Sequence, residues 1–402
     1  MQPNIVRHPE LAADGKQKIS WVRRNMPILR QLEADFSQLQ PFADKRVLVC
    51  VHLEAKTAYL ALVMAAGGAQ VAVTGSNPGS TKDDIVAALD CAGLHVYAEH
   101  GASLQKMQQH MGLALEIQPH LVIDDGGDIV ELLHESHRHL GVDMVGACEE
   151  TTTGVLRARQ RAQTDGLDFP VMLINEARCK YLFDNVHGTG QSVWDAIMRS
   201  TNLLLAGKTI TIIGFGWCGR GCALRAVGMG AKVIVCEVDA VKAADAAMNG
   251  YQVMPLLEAC PVSDIVLTVT GIRHTLTRVH FDTMKEGALI ANAGHFRNEI
   301  DVEALQELAI ENKPMRENVH GYKTPAGKWL YLIGDGNIVN IACADGHPVE
   351  IMDTSFALQA LSARYLFEHH EELAPGVYGV PDEIDQQVAQ MKLASMQIRI
   401  DD

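Results

Sequence analysis

The sequence has none of the features that mark a membrane, secreted or zinc protein. No apolar run reaches the roughly 18 residues that a membrane-spanning helix needs. The first residues, MQPNIVRHPE, lack the apolar segment and the small-residue cleavage pattern of a signal peptide. The nine cysteines form no CxxC pair and no Cys/His spacing typical of zinc. We therefore expect reduced thiols, a cytoplasmic location and no metal.

Basic residues are too few to balance the acids. Lysine and arginine number 34 against 49 aspartates and glutamates, so the net charge is −15. No basic stretch offsets this charge, which disfavours nucleic acid and anionic membranes as partners. Apolar residues make up 48 % of the 402 residues, which predicts a soluble globular chain of two or three domains.

Short apolar, β-branched runs alternate with helical stretches in two blocks. In the first block, strands are predicted at 46–52, 69–75, 95–100, 120–128 and 170–177, with helices at 56–68 and 80–93. After a helical stretch at 183–208, the second block has strands at 208–216, 231–237, 262–271 and 287–295, and a helix at 217–229. This alternation predicts parallel sheets with helices on both faces. The expected fold class is α/β, with two doubly wound, Rossmann-like domains and a cleft between them.

A glycine-rich turn opens the second block. Gly214, Gly216 and Gly219 have G-x-G-x-x-G spacing between a predicted strand and a predicted helix, whose N-terminus would bind a pyrophosphate. Glu237 ends the next strand about 20 residues on, where an acid binds the ribose 2′-hydroxyl and repels a 2′-phosphate. These features predict NAD rather than NADP. Asn292 ends a later strand, where it is a candidate for holding the nicotinamide half.

Ionisable residues recur at predicted strand ends of the first block. They are His52, Asp124, Asp125, Glu149 and Glu150. Lys180 and Asp184 are four residues apart in a helical stretch, so they can face the same way. One such residue would more often be structural, but several at the ends of parallel strands, with an NAD site, indicate catalysis. The run DDGGD at 124–128 is also compatible with a turn or a cation site.

The sequence resembles the S-adenosylhomocysteine hydrolase family from about residue 20 to about residue 392. The shared stretches, in family order, are IDDGGD, EETTTG, KYLFDN, GFGWCGRG, NAGHF and DGHP. The wording HLEAKTAYLA is similar to the shorter bacterial and archaeal branch. The resemblance implies a substrate-binding domain at 1–185 plus 347–380, an NAD-binding domain at 186–346 and a short C-terminal helical segment at 381–402.

The resemblance also implies the residues of the site. Its catalytic positions are His52, Asp125, Glu150, Lys180, Asp184 and His295. Together with the glycine turn, the expected cofactor contacts are Thr151, Thr152, Thr153, Asn185, Gly214, Gly216, Gly219, Glu237, Asn292, Asn340 and His347. The expected substrate contacts are Glu54, Lys56, Thr57, Asp345, His347 and Met352.

The family's reaction explains a dehydrogenase-type cofactor in a hydrolase. Oxidation of the substrate's 3′-hydroxyl acidifies the 4′-hydrogen, so the 5′-thiolate can leave; water then adds and the ketone is reduced again. On the resemblance, Lys180, oriented by Asp184, takes the 3′-hydroxyl proton, and Glu150 binds the ribose hydroxyls. Asp125 and His52 handle the 4′-proton and the 5′ leaving group or water. His295 supports the 3′-oxygen.

One motif departs from the better-known members, which have H-M-T-x-E-T after the first strand. Here Glu54 and Lys56 stand at the two positions that contact adenine. A glutamate accepts from the 6-amino group, whereas a lysine only donates and suits the oxygen of hypoxanthine. Asp345 replaces an apolar family residue beside the purine, where it would receive a ring N–H or pair with Lys56. Alternatively, a salt bridge from Lys56 to either acid would leave adenine to backbone groups. Because the same wording recurs in members of this branch that act on the adenosyl compound, the resemblance implies the S-adenosyl substrate, with the S-inosyl compound as alternative.

Assembly and rival functions complete the expectations. The sequence ends at IRIDD without the Lys- and Tyr-containing tail of longer members, so we expect the NAD site to be closed differently. The apolar run at 193–205 predicts either a homo-oligomer, as dimer or tetramer, or an interdomain core. A 2-hydroxyacid dehydrogenase would not need EETTTG and KYLFDN. A non-catalytic NAD-binding regulator would be expected to have lost some of the mapped acids, Lys180 or the histidines.

Overall fold

The computed structural model describes residues 2–295 and 297–401, and the chain divides into two compact units. The first unit runs up to Tyr181 and resumes at Val349, and the second is Leu182–Pro348. Phe296, which belongs to the NAGHF motif, lies outside the described residues. No helix in the described ranges is long and apolar enough to cross a bilayer.

Helices and strands alternate along most of the chain. The α-helices are α1 Ala12–Asn25, α2 Pro27–Leu39, α3 Ala55–Ala66, α4 Asp83–Cys91, α5 Leu104–Leu115, α6 Asp128–His134, α7 Thr152–Thr164, α8 Arg178–Lys180, α9 Thr189–Thr201, α10 Trp217–Gly228, α11 Ala240–Met248, α12 Leu256–Ala259, α13 Arg278–Thr283, α14 Val302–Leu308, α15 Val339–Ala342, α16 Val349–His369 and α17 Asp382–Ser395. The strands are β1 Arg46–Val51, β2 Gln70–Gly75, β3 His95–Tyr97, β4 Leu121–Asp124, β5 Gly146–Glu149, β6 Pro170–Leu173, β7 Thr209–Ile213, β8 Lys232–Cys236, β9 Gln252–Val253, β10 Ile265–Thr268, β11 Leu289–Asn292, β12 Glu311–Arg316, β13 Val319–Lys323, β14 Trp329–Ile333 and β15 Gly376–Gly379.

The first unit is built on a seven-stranded parallel sheet in the order β15-β6-β5-β4-β1-β2-β3. This confirms the predicted parallel α/β class for the unit. The central strand β1 is buried from Val47 to Val51, as expected of an apolar strand with helices on both faces. The strand order reverses between β1 and β4, and such a switch point opens a crevice at the strand carboxyl ends.

The second unit has an eight-stranded sheet in the order β12-β13-β14-β11-β10-β7-β8-β9. From β14 to β9 the neighbours are parallel, which confirms the Rossmann-like prediction, but β13 is antiparallel to both of its neighbours. The sequence did not predict this edge. Every residue of β12 is exposed, so it carries no apolar run, and Pro314 and charged side chains suit an unpaired edge.

The apolar run of α9 is divided between core and surface. Val193, Trp194 and Ile197 are buried in the second unit's own core, in one cluster with apolar residues of β7 and α10. Leu203 and Leu204, just after the helix, are exposed. Most of the run therefore serves its own unit.

The stretch before α9 is a π-helix at Tyr181–Gly188, where a regular helix was predicted. Such wider turns are rare and occur often at functional sites. Here the π-helix carries Asp184 and Asn185, both of them buried.

Candidate active site

His52 and Asp125 follow β1 and β4, the two strands that flank the switch point of the first sheet. The imidazole Nε2 of His52 lies 3.6 Å from Oδ2 of Asp125. Ser76 Oγ donates to the same carboxylate oxygen at 3.0 Å, and Ser80 Oγ lies 2.7 Å from Nδ1 of His52. Ser80 therefore occupies one imidazole nitrogen and leaves the other directed towards Asp125.

Ser76 and Ser80 were not predicted as site residues. Both belong to the turn after β2, which is the neighbour of β1 in the sheet. The available signal was their position after a strand end, in the run SNPGST. Serines are so common in turns that this signal alone is weak.

Lys180 and Glu150 form a buried ion pair. The distance from Lys180 Nζ to Glu150 Oε1 is 3.2 Å, and both side chains are about 6 % exposed. Gln359, on α16, donates from Nε2 to Glu150 Oε2 at 2.5 Å. A buried pair of this kind needs such added hydrogen bonds, because desolvation opposes the attraction between its charges. Gln359 was not predicted, since it lies 209 positions from its partner.

A carboxylate from the end of the chain caps the short helix that carries Lys180. Asp385, on α17, accepts hydrogen bonds from the backbone N–H groups of Arg178 at 3.0 Å and Cys179 at 2.9 Å. These groups have no partner within their own helix. The negative charge also suits a helix N-terminus. Asp385 thereby holds the start of α8 and the backbone that positions Lys180.

In the second unit, Asp184 pairs with His347. Oδ1 of Asp184 lies 2.8 Å from Nδ1 of His347, and the other nitrogen of that ring lies 3.2 Å from Thr189 Oγ1. Asp184 is buried, whereas His347 is only partly covered. Thr189 is a further residue of this cluster that was not predicted. His295 ends the loop after β11 and is exposed.

The glycine turn follows β7, where the second sheet's order reverses between β7 and β10. Gly214 has a φ of 102°, which side chains rarely tolerate. A Cβ at Gly219 would overlap the carbonyl oxygen of Gly214, so only glycine lets α10 start so close to the strand. A Cβ at Gly216 would meet no atom of the described residues within 4 Å, and this side of the turn is open to a ligand.

Glu237 follows β8 and binds the backbone of the glycine turn. Its carboxylate accepts from the N–H groups of Phe215 at 2.8 Å, Val238 at 2.7 Å and Asp239 at 3.0 Å. Burial alone would raise the pKa of Glu237, but these hydrogen bonds outweigh it and leave the pKa below its usual value. The side chain is therefore an anion at neutral pH, which suits a ribose diol and opposes a 2′-phosphate.

Two asparagines follow in the same unit. Asn292 is fully buried: its Oδ1 accepts from Thr268 and Gly294, and its Nδ2 donates to Gly336 O at 3.1 Å. Asn340 donates to Ser192 Oγ at 2.9 Å, while its buried Oδ1 accepts from none of the described residues. That oxygen is an available acceptor for an amide N–H, as the carboxamide of a nicotinamide would supply. The unit's residues therefore fit NAD.

The three threonines after β5 lie at the start of α7. Thr151 caps the helix, since its Oγ1 accepts from Gly154 N at 3.2 Å. Thr152 is exposed and accepts from Asn175 Nδ2 at 2.9 Å, and Thr153 is partly buried. No cluster of three metal-ligating side chains occurs in residues 2–295 and 297–401.

Two family models match most of the chain. The model for the S-adenosyl-L-homocysteine hydrolase matches residues 4–144, and the model for the NAD-binding domain of that enzyme matches residues 185–346. An adenosylhomocysteinase from Pyrococcus abyssi is 51 % identical over 99 % of this chain and 94 % of its own. The chain belongs to the S-adenosyl-L-homocysteine hydrolase family. Its cofactor is NAD, as the glycine turn and Glu237 predicted.

Members of this family with two different names are about equally similar to the chain. An adenosylhomocysteinase from Thermotoga maritima is 48 % identical over 96 % of both chains. An S-inosyl-L-homocysteine hydrolase from Methanocaldococcus jannaschii is 46 % identical over 99 % of this chain and 95 % of its own. Overall identity therefore does not distinguish the two activities that the relatives' names state, and the positions that are expected to contact the purine are the informative ones.

At those positions, Glu54 and Lys56 pair with each other. Lys56 Nζ lies 2.9 Å from Glu54 Oε2, and the backbone N–H of Lys56 donates to the same oxygen at 3.1 Å as α3 begins. Thr57 donates to the carbonyl oxygen of His52 at 2.6 Å, which joins the segment that is expected to contact the purine to a catalytic candidate. In the second unit, Asp345 lies 3.3 Å from Arg199. Met352 is buried on α16.

Proposed function

We propose that this family member hydrolyses S-adenosyl-L-homocysteine to homocysteine and adenosine, with NAD unchanged at the end of each cycle. The substrate is assigned to residues 1–185 plus 347–380 and NAD to residues 186–346. The observation that carries the proposal is the buried pair of Lys180 and Glu150, because an acid–base pair of this kind suits a hydroxyl that is oxidised and re-reduced.

At the 3′-carbon, this chain supplies proton transfer and orientation. NAD, when bound, supplies the reversible oxidation of that carbon. Lys180, in its uncharged amine form, accepts the proton of the 3′-hydroxyl and so becomes the ammonium ion that pairs with Glu150. Glu150 accepts hydrogen bonds from the ribose hydroxyls while Gln359 keeps its carboxylate in place. Asp184 is held by His347, so it offers a fixed negative charge in the same helical stretch. His295 supports the 3′-oxygen.

Asp125 acts at the 4′-carbon and His52 at the 5′-carbon. Asp125 Oδ2 is engaged by Ser76 and faces His52, whereas the buried Oδ1 accepts from none of the described residues. That second oxygen is available to take the 4′-proton. His52 then protonates the departing thiolate and, in the second half of the reaction, takes a proton from the attacking water. Ser80 holds the imidazole during both steps.

The S-inosyl compound is the second candidate because Lys56 is a buried cation at a purine-contact position, with 6 % of its surface exposed. A lysine donates and so suits the 6-oxygen of hypoxanthine. Glu54, however, carries a second carboxylate oxygen besides the one that contacts Lys56, and a carboxylate oxygen accepts from the 6-amino group of adenine. We therefore place S-adenosyl-L-homocysteine first.

The two candidates are separated by measuring free thiol released from each compound by the NAD-loaded protein. We expect a higher kcat/KM for the S-adenosyl compound. Lys56→Met is expected to lower kcat/KM for the S-inosyl compound about tenfold more than for the S-adenosyl one, because a lost hydrogen bond costs about 1.4 kcal/mol. Lys106→Met, at a surface pair with Glu99, is the matched control. A wild-type preference for the S-inosyl compound would reverse the assignment.

We also propose a homo-oligomer in a reducing cytoplasm. The exposed Leu203 and Leu204 after α9 support self-association, since apolar side chains grouped on a surface favour a covered interface. The cysteine content supports a reducing compartment.

A further inference from the structure

We propose that Glu149 is a positioning residue which, as a neutral carboxylic acid, ties the loop that carries Asp125 to the loop that carries Glu150. The proposal rests on the function proposed above, because its consequence is read at those two catalytic candidates. Glu149 was noted in the sequence only as one of two consecutive acids at a strand end.

One oxygen of Glu149 gathers three donors from two loops. Oε1 accepts from the backbone N–H of Gly126 at 2.9 Å, which immediately follows Asp125. It also accepts from the N–H and the Oγ1 of Thr151, both at 2.9 Å, and Thr151 immediately follows Glu150. The two loops leave adjacent strands, β4 and β5. A single carboxyl group therefore ties together the backbones that follow Asp125 and Glu150, beside the backbone hydrogen bond from Glu150 N to Asp124 O at 3.0 Å.

The packing leaves Glu149 no other position. Its side chain is 1 % exposed. A Cβ at Gly154, in the first turn of α7, would overlap the carboxyl group, so the helix closes directly over it. Because the group is enclosed by strand, loop and helix, a change in its length or shape must move one of the two loops.

The surroundings of Glu149 favour the protonated form. Its three donors are uncharged, and its partner in register on β4 is Asp124, which is fully buried. The second oxygen, Oε2, is buried and has no hydrogen-bond partner among the described residues. Glu149 lines a small cavity with Gly127, Gly154 and Val171, of about the size that holds one water molecule. An acid can direct its O–H into that cavity, whereas an anion would leave a bare buried charge.

The charged groups around Glu149 do not offset this preference. The acids that face it come from β4, the following loop and α6, and the arginines from α7: Asp124, Asp125, Glu131, Arg157 and Arg161. Both arginines are engaged, Arg157 by Asp128 and Arg161 by Glu131. Burial, and then the charge of Asp124, raise the pKa of Glu149 well above its usual value against the hydrogen bonds from Gly126 and Thr151. Burial likewise raises the pKa of Asp124, to about 7.

The test compares Glu149→Gln with Glu149→Asp. Glutamine keeps the three-way acceptor and places an N–H where the acid has its O–H, so we expect kcat to fall less than about tenfold. Aspartate is one methylene shorter and cannot hold both loops, so we expect kcat to fall about 10²-fold, the cost of a misplacement near 1 Å. Glu176→Gln, at an exposed pair with Arg159, is the matched control. A glutamine variant as impaired as the aspartate variant, or an aspartate variant as active as the wild type, would overturn the proposal.

A second readout does not depend on turnover. The pKa of Glu149 is higher in the folded protein than in the unfolded chain, where it is near 4.5. The protonated carboxyl group therefore stabilises the folded state fully below the unfolded pKa, and this stabilisation is lost as pH rises through the folded pKa. We therefore expect the Tm of the wild type to fall more steeply than that of Glu149→Gln as the pH rises above about 5. If Tm fell equally steeply with pH in both proteins, Glu149 would not be a neutral acid in the folded state, and this conclusion would hold even if the proposed substrate is wrong. Conversely, a wild type that releases no thiol while the slopes differ would count against the proposed function alone.

Discussion

Replacement of Lys180 by methionine is expected to lower kcat by about 10³-fold, within the range that a general base contributes. Methionine fills a similar volume but takes no proton from a 3′-hydroxyl, and it leaves Glu150 as a buried anion without its cation. Loss of one partner of a buried pair also costs about 3–5 kcal/mol of stability. The measurement is thiol release at saturating substrate, together with the Tm of each protein.

Lys180→Arg separates the charge from the proton transfer. Arginine keeps the ion pair with Glu150 but does not give up its proton, so we expect the folded state to survive and the loss of kcat to remain. Lys106→Met removes an exposed lysine that pairs with Glu99, and it reports the effect of losing a lysine charge at the surface. An arginine variant with near wild-type kcat would show that Lys180 acts by its charge alone.

Asp125→Asn is expected to separate oxidation from elimination. The amide has the shape of the carboxylate but cannot take the 4′-proton, so thiol release should fall by about 10²–10⁴-fold. In the proposed mechanism the 3′-oxidation does not use Asp125, so the near-ultraviolet absorbance of reduced nicotinamide should still develop when the substrate is bound. The amide also keeps one oxygen for Ser76, which limits the structural disturbance.

The control for this prediction is Asp143→Asn, at a surface pair with Arg46. It is expected to leave both signals as in the wild type. If Asp125→Asn abolished the nicotinamide absorbance together with thiol release, Asp125 would belong to substrate binding or to oxidation rather than to the 4′-carbon.

Local pattern was enough to predict the parts of the fold with strong apolar runs. Strand β1 was predicted within one residue, because its burial on both faces requires continuous apolar sequence. Helix α10 was also predicted within one residue, because the glycine turn marks its start, whereas β7 ends three residues earlier than predicted. Strands β12 and β13 were not predicted: every residue of the edge strand β12 is exposed, so it has no such requirement, and β13 has the sequence VHGYK without a continuous apolar run. The π-helix before α9 was not predicted for a different reason. The spacing of apolar residues does not distinguish a π-helix, which has about one more residue per turn, from an α-helix.

Some residues of the candidate site could likewise be predicted from the sequence and others could not. Residues at strand ends, such as His52 and Asp125, could be named because topology brings the ends of parallel strands together. Gln359 and Asp385 could not, since each reaches its partner from more than 200 positions away along the chain. The role of Glu149 was hidden as well, because sequence alone does not reveal which of two consecutive acids turns inward.

The most direct test of the account is the dependence of thiol release on NAD. Protein stripped of nucleotide is incubated with S-adenosyl-L-homocysteine, with no NAD or with one NAD per chain, and free thiol and reduced nicotinamide are both measured. The account predicts no thiol without NAD and, with it, many thiols per NAD and no steady rise in reduced nicotinamide. Thiol release at the same rate without NAD, or one reduced nicotinamide formed for each thiol, would contradict it.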